Sequence, residues 1–196
     1  DFSKSNEFIK LYYLLAEEIV KKLDLNTNEV NLQPNVTLRE FNSNSHGTSF
    51  HTDYLYGHGV HTNTIWVPLY GLRKGNSFWI LDGQNDCNPE TLALNYTKKL
   101  ENELLQNSFE FLPAKNQCLA FSSNTIHGSP LNKTKITRYS FDFRIALAND
   151  KTSTKKSDEY LILQDNKWIS KTNPFDGYSF LKYICGGLEQ DTSIQH

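Results

Sequence analysis

The sequence predicts a mainly β protein of the jelly-roll type, with one supporting helix at its N-terminal end. Aromatic residues make up 13% of the chain, a content that favours β structure. Most of the chain consists of short extended runs separated by turn residues, about six to eight of them by their spacing. The one long run of apolar side chains at helical spacing is residues 6–24. Many short strands with one long helix are typical of two packed sheets, one of which is covered by the helix.

The first half of the chain contains the helix and three strands. Residues 6–24 are amphipathic, because the charged residues, including Glu17, Glu18, Lys21 and Lys22, lie largely opposite the apolar ones. The chain becomes extended from about residue 29, and side chains alternate after Pro34. We therefore expect strands at residues 36–41, 60–69 and 77–81.

The second half contains a short helix and further strands. The helix is expected within residues 88–107, followed by strands at 108–112, 117–122 and, most clearly, 136–147. A Lys-, Thr- and Ser-rich run then leads to a strand at 160–163, a turn at Trp168 and an aromatic segment at 178–183. A chain of 196 residues is long enough for one core. We expect one domain, 1–196, made of an N-terminal helical region (1–28), a jelly-roll core (29–147) and a C-terminal extension (148–196).

Charge and composition argue against several classes of protein. The formal net charge is -2, so a surface for nucleic acid or an acidic membrane is not expected. No apolar run approaches the ~20 residues that span a bilayer. Cys87, Cys118 and Cys185 are odd in number and far apart, which fits neither a disulfide framework nor a zinc motif. The expectation is a cytoplasmic protein with reduced thiols.

A candidate metal site begins at His51-Thr52-Asp53. On a strand these two ligand types would share a face and could converge on one point. His127, which lies between a strand and the turn at Pro130, is the candidate third ligand. Two imidazoles and one carboxylate suit iron(II) with open positions, whereas zinc more often takes three or four His or Cys ligands. Taken alone, however, His51 is more typical of a surface loop.

The strand at residues 136–147 places unusual polar side chains on one face. Arg138, Ser140, Asp142 and Arg144 alternate with aromatic residues. The planar guanidinium of Arg138 matches a carboxylate through two hydrogen bonds, and Ser140 can add a third donor. The alternative is a solvent-exposed strand face with a salt bridge between Asp142 and an arginine.

The order His51-x-Asp53, His127, then Arg138-x-Ser140 resembles the iron(II)- and 2-oxoglutarate-dependent oxygenases. The resemblance is strongest to their phytanoyl-CoA-hydroxylase-like and clavaminate-like branches. The strings at residues 51–58, 63–69, 76–78 and 138–144 are similar to a small bacterial branch from antibiotic and sugar-modification gene clusters. The resemblance covers residues 36–147 and implies a double-stranded β-helix, the jelly roll of that family.

The resemblance also implies a role for each matched residue. His51, Asp53 and His127 would bind Fe(II), and Arg138 with Ser140 would bind the distal carboxylate of the cosubstrate 2-oxoglutarate. Further roles are hydrogen bonding to the cosubstrate (Asn63), binding its near carboxylate or an anionic substrate (Arg144), and lining the substrate mouth or packing (Tyr56, His58, His61 and Trp66).

The reaction class implied is oxidation of a small molecule by dioxygen. Halogenating relatives carry a small residue where this chain has Asp53, so the aspartate favours hydroxylation, with desaturation or ring closure left open. The substrate expected is a small polar metabolite, an amino acid or a sugar-linked compound, and succinate and carbon dioxide would be released.

Three other interpretations remain open from the sequence. A cupin would need a His-x-His motif and a later Glu, but His58 and His61 are spaced by three and no Glu follows at a suitable place. A zinc site would instead use His51, His58 and His61. A non-enzymatic jelly roll that stacks aromatic residues on a glycan would need none of the ordered residues.

Overall fold

The computed structural model describes residues 5–26, 29–82, 92, 94–155, 160–164 and 167–170. Within them the chain is mainly β, with two antiparallel sheets and an N-terminal helix, and the predicted jelly-roll class is confirmed. The helices are α1 (Asn6–Lys22) and α2 (Lys98–Gln106), with a short 3-10 helix at Asp53–Tyr56. The strands are β1 (Val30–Leu32), β2 (Thr37–Phe41), β3 (Thr62–Tyr70), β4 (Phe78–Leu81), β5 (Ser108–Phe111), β6 (Leu119–Ser122), β7 (His127–Gly128), β8 (Arg138–Leu147), β9 (Leu161–Gln164) and β10 (Lys167–Ser170).

The larger sheet is built around β8. Its order is β10-β9-β1-β8-β3-β6, and β2 pairs with β8 beyond the end of β1. The smaller sheet has the order β5-β4-β7. β8 is therefore paired along both edges, by β3 on one side and by β1 and β2 on the other. A strand fixed in this way is a rigid support for the side chains it carries.

Helix α1 covers the outer face of the larger sheet, as the sequence predicted. It begins after Ser5, whose hydroxyl accepts a hydrogen bond from the Phe8 amide at 3.2 Å, a normal N-terminal cap. The Tyr12 ring meets the Phe143 ring edge-on with centroids 4.9 Å apart. Phe143 and its neighbours on this face are fully buried, so the outer face forms an apolar core.

The inner face of the larger sheet packs on the smaller sheet. Trp66 and Phe121 from one sheet form a cluster with Phe78 and Ile80 from the other. A second cluster beneath α2 includes Phe50. These apolar contacts surround the polar residues of β8 and separate them from bulk water.

One difference from the sequence prediction concerns the second half. Trp168 lies in β10, where it pairs with Leu163, and not in a turn. The strands at either side of Asn116 both exist, but β5 and β6 belong to different sheets. β9 and β10, from the predicted C-terminal extension, continue the larger sheet through β1. Cys87, Cys185, residues 88–91 and the aromatic segment 178–183 lie outside the described residues.

No helix in the described part of the chain is long and apolar enough to cross a membrane.

Candidate metal centre

Main-chain hydrogen bonds bring His51 and His127 side by side. The amide of His51 donates to the His127 carbonyl at 2.9 Å, and the amide of His127 donates to the His51 carbonyl at 2.9 Å. The two imidazole centroids are 4.3 Å apart. The next residue is Gly128, and a Cβ atom there would lie 3.1 Å from the Phe50 nitrogen. A larger residue would therefore push the two backbone segments apart. The backbone itself sets the spacing of the two rings.

Asp53 joins the two histidines through a turn, and not through the shared face that a strand would give. After His51 the chain enters the 3-10 helix at Asp53, and Gly57 ends that helix with a φ of 86°. Asp53 Oδ1 lies 3.7 Å from His51 Nε2 and 3.9 Å from His127 Nε2. Among the described residues, these three are the one group of His, Cys, Asp or Glu that could hold a metal ion, with ligand atoms all within 4.8 Å of one another.

Both imidazoles present Nε2 to this point. His51 Nδ1 lies 2.8 Å from the Ser49 carbonyl, and His127 Nδ1 lies 2.8 Å from the Thr125 carbonyl. A carbonyl only accepts, so Nδ1 carries the proton and Nε2 keeps its lone pair. Burial lowers the pKa of His127 to about 3 and also lowers the pKa of His51. Both rings are therefore neutral at pH 7, as metal ligands must be.

The carboxylate of Asp53 is held from its other side. The Thr64 hydroxyl donates to Oδ2, and Arg144 Nε and Nη2 lie 3.3 and 3.1 Å from the same oxygen. Burial alone would raise the pKa of Asp53, but the Arg144 charge and the Thr64 hydrogen bond help to hold it below its ordinary value. Asp53 is consequently an anion in the folded protein.

The polar face of β8 is buried, so the interpretation of an exposed strand is wrong. Asp142 is 5% exposed and Arg144 is 8% exposed. The salt bridge expected there does exist, since Arg144 Nη1 donates to Asp142 Oδ2. Arg39 Nε donates to the other oxygen of Asp142 at 2.8 Å. Charges alternate from Arg39 through Asp142 and Arg144 to Asp53.

Arg138 lies at the other end of the same strand face. It is 4% exposed, and its guanidinium carbon is 4.9 Å from the Phe41 ring centroid and 5.3 Å from that of Trp66. Its Nη1 donates to the Asn76 carbonyl at 2.7 Å. Burial lowers the pKa of Arg138 to about 10, which leaves it charged at pH 7. No carboxylate of the described residues lies within 4.0 Å of the Arg138 guanidinium. Arg138 Nε and Ser140 Oγ also have no hydrogen-bond partner among the described residues.

One cavity connects the histidines with Arg138. Its wall includes His51, His127, Arg138 and Arg144, together with Thr64. The aromatic rings of Trp66, Phe78 and Phe121 form its apolar side. The cavity thus joins a candidate metal centre to the buried guanidinium of Arg138, which has no anionic partner among the described residues.

The remaining predicted residues fall at different distances from this cavity. Asn63 is paired with Ile145 on the outer face of the larger sheet, so its side chain points away, and Thr64 is the cavity residue. Trp66 is buried in the cavity wall, stacked on Phe78, and is not at a mouth. Tyr56 is 53% exposed and contacts the His51 ring edge-on, with centroids 5.4 Å apart.

His58 and His61 do not join His51 in a second metal site. His58 is partly buried, with Nδ1 3.5 Å from the Tyr160 hydroxyl, and burial with the Arg144 charge lowers its pKa to about 4. His61 is exposed in the turn before β3. Within the described chain the zinc set proposed from His51, His58 and His61 is not assembled.

Sequence reasoning missed Tyr96, which supports the first histidine. Its hydroxyl accepts a hydrogen bond from the Phe50 amide at 3.2 Å and donates to Glu101 Oε2 at 3.1 Å. Glu101 is a buried residue of α2. Burial raises the pKa of Tyr96 to about 12, so the hydroxyl keeps its proton. Because Phe50 and Tyr96 are 46 residues apart, no local pattern could have indicated the contact.

We expect Tyr96→Phe to destabilise the fold by about 1 to 3 kcal/mol, since it removes the hydroxyl that pairs with the Phe50 amide and with Glu101 Oε2 while the ring stays. Lys98 still donates to the other oxygen of Glu101. Urea denaturation of the metal-free protein measures this change. Tyr70→Phe is the matched control, because Tyr70 is 72% exposed, and it should stay within about 0.5 kcal/mol of wild type. Equal stability of the two variants would remove Tyr96 from the support of His51.

No protein-family model matches this chain, and no curated protein matches it in sequence. Solved structures do match. The nickel complex of the non-heme monooxygenase ThoJ has a TM-score of 0.61 at 15% identity, covering 97% of this chain and 76% of that chain. HygX from Streptomyces hygroscopicus, with nickel, 2-oxoglutarate and hygromycin B bound, has a TM-score of 0.55 at 12% identity, covering 75% and 68%. AviO1 from Streptomyces viridochromogenes Tue57 has a TM-score of 0.51 at 14% identity, covering 72% and 59%.

TM-scores of 0.51 to 0.61 show a shared fold, and at identities of 12 to 15% the likeness shows the fold alone. The chain has the fold of ThoJ and HygX, as expected from the motif order.

Proposed function

We propose that this chain is an iron(II)- and 2-oxoglutarate-dependent oxygenase that hydroxylates a small polar metabolite. The observation that carries the proposal is the single cavity that has two imidazole Nε2 atoms and a carboxylate near one end and the guanidinium of Arg138 at the other. In this proposal His51, Asp53 and His127 bind the metal, and Arg138 binds the distal carboxylate of the cosubstrate.

The donor set supports iron(II) over zinc. Two neutral imidazoles and one carboxylate form the facial triad of non-haem iron oxygenases, which leaves positions open. Structural zinc sites close their shell with four ligands, mostly Cys and His. The described residues offer no fourth ligand near this group. The nickel ions in the similar ThoJ and HygX structures agree with a divalent ion in this fold.

The cosubstrate fits the unsatisfied groups beside Arg138. A buried cation without an anion is costly, and so is a buried hydroxyl without a partner. A carboxylate between Arg138 Nε and Ser140 Oγ would satisfy both groups at once. HygX was solved with 2-oxoglutarate bound, which supports a 2-oxoacid as this anion.

The protein's part in the chemistry is to bind, orient and exclude water. When bound, iron(II) and 2-oxoglutarate activate dioxygen, and one oxygen atom enters a substrate C–H bond while succinate and carbon dioxide are released. The rings of Trp66, Phe78 and Phe121 keep water from the cavity. Thr64 and Arg144 hold Asp53 as an anion, so we assign Arg144 to the support of this ligand and not to the substrate.

The substrate is expected on the outer side of the histidines. Tyr56 is exposed, and its ring meets the His51 ring edge-on. His58 is partly buried, and it lies close enough to Arg144 for the positive charge to lower its pKa. We propose both as substrate contacts. The hygromycin B in HygX supports a polar small molecule, an amino acid or a sugar-linked compound.

The test uses Asp53→Gly beside wild type. Metal content of protein purified anaerobically is measured by elemental analysis, and succinate is measured with iron(II) and 2-oxoglutarate present. We expect iron in the wild type, succinate that depends on both additions, and a loss of metal and succinate in Asp53→Gly, because two imidazoles alone bind the ion weakly. Tightly bound zinc that survives the substitution would contradict the proposal.

A further inference from the structure

The two oxygens of Asp53 have different surroundings. Oδ2 takes hydrogen bonds from Thr64 Oγ1, Arg144 Nε and Arg144 Nη2. Oδ1 has one guanidinium nitrogen at 3.2 Å and lies closest to the two imidazole Nε2 atoms. A carboxylate oxygen has two lone pairs. The lone pairs of Oδ2 are therefore used by the protein, and Oδ1 is the oxygen left for a metal.

The donors to Oδ2 are themselves fixed in place. Thr64 and Arg144 are directly opposite each other in the register of β3 and β8, on the inner face of the larger sheet. Thr64 is 2% exposed. Arg144 is also bound by Asp142, which Arg39 holds in turn. The arrangement does not depend on a mobile side chain.

We propose that Thr64 and Arg144 are positioning residues that restrict Asp53 to binding the metal through one oxygen. The inference rests on the proposed iron site. With iron(II) bound, the two imidazoles and one carboxylate oxygen would supply three ligands, and a 2-oxoacid would supply two more. One position would then be left for dioxygen. A second oxygen from Asp53 would compete for it, and the hydrogen bonds to Oδ2 oppose that competition.

The hydroxyl of Thr64 separates this role from simple neutralisation of charge. Arg144 balances the charge of Asp53 whether or not it restrains the carboxylate. Thr64 carries no charge, so Thr64→Val removes only a hydrogen bond to Oδ2 and keeps a side chain of similar shape. Thr64→Ser restores the hydroxyl. Thr62→Val is the matched control, because Thr62 is buried on the same face of the same strand and its hydroxyl has no partner in the described residues.

The experiment measures binding of nitric oxide, a dioxygen surrogate, to the protein loaded with iron(II) and 2-oxoglutarate. Electron paramagnetic resonance follows the iron–nitrosyl signal during titration. A hydrogen bond to a charged group contributes enough that its loss corresponds to roughly 10- to 100-fold in an equilibrium. We expect Thr64→Val to weaken nitric oxide binding by about that factor when iron(II) and 2-oxoglutarate are added to saturation, because loss of a group that supports a ligand lowers metal affinity by only about 10- to 100-fold. Thr64→Ser and Thr62→Val should bind nitric oxide as wild type does.

The outcomes separate this inference from the proposed function. Unchanged nitric oxide affinity in Thr64→Val, with iron and 2-oxoglutarate still bound, would overturn the positioning role and leave the proposed function standing. Failure of Thr64→Val to load iron(II) even at saturating concentrations would also overturn it, because Thr64 would then be needed to hold the metal and not to keep a position open. A wild type that binds neither iron nor 2-oxoglutarate would defeat the proposed function. If Thr64→Val does not fold, Arg144→Lys keeps the charge without the paired donors, and the same loss of nitric oxide binding is expected.

Discussion

His127→Ala and His51→Ala should each abolish iron(II) binding and all turnover of 2-oxoglutarate. Each removes one of three ligands from a site that already has open positions. Changing a group that merely supports a ligand typically costs about 10- to 100-fold in metal affinity, so loss of the ligand itself should exceed about 100-fold. Isothermal titration calorimetry under anaerobic conditions measures the affinity for iron(II), and succinate formation measures the turnover of 2-oxoglutarate.

The matched control for these variants is His61→Ala. His61 is exposed and lies outside the group of ligand atoms, so this variant should bind iron(II) as wild type does. If either His51→Ala or His127→Ala kept the wild-type affinity and turnover, the assignment of the three ligands would be wrong. Loss of binding in His61→Ala would instead favour the zinc set with His58.

Arg138→Ala should raise the 2-oxoglutarate requirement strongly and leave metal binding nearly intact. Removing one partner of a buried charged contact costs about 2 to 5 kcal/mol, which corresponds to roughly 30- to several-thousand-fold in affinity. Arg138→Lys should recover only part of this loss, since an ammonium group cannot reproduce the planar pair of donors. Titration of 2-oxoglutarate into each metal-loaded variant gives the dissociation constants of Arg138→Ala and Arg138→Lys.

Arg73→Ala is the control for Arg138, because Arg73 is exposed on the turn between β3 and β4. It removes one positive charge without touching the cavity. An Arg138→Ala variant with the 2-oxoglutarate affinity of Arg73→Ala would show that the carboxylate binds elsewhere. The cavity wall would still offer Arg39, which is paired with Asp142, and Arg144, which is paired with two aspartates.

The residues that carry the proposed chemistry were the most predictable part of this protein. His51, Asp53, His127 and Arg138 could be selected because the residue types and their order are those that the chemistry needs. The jelly-roll class followed from many short strands and one long helix. Neither inference required knowledge of how the strands pair.

Residues that depend on strand pairing were harder to predict. Asn63 was selected where Thr64 faces the cavity, because β3 is buried on both faces and its sequence does not alternate cleanly between apolar and polar residues. The 3-10 helix at Asp53 was not predicted, since a single short turn gives no periodic signal. Arg39 and Tyr96 reach the site through contacts between residues distant in sequence, which a single sequence does not encode visibly.

Because main-chain hydrogen bonds hold His51 beside His127, assembly of the site does not require an ion. In zinc fingers, by contrast, the free energy of metal binding is the free energy of folding, and chelators unfold them. Here the two free energies are separable, so a chelator should leave a folded apoprotein that can be loaded again. Sites of nitrogen and oxygen ligands bind nickel, copper and zinc more tightly than iron(II). In the proposed iron site, occupancy would then be governed by the metal supply of the compartment, and these ions should compete with iron(II) for the ligands.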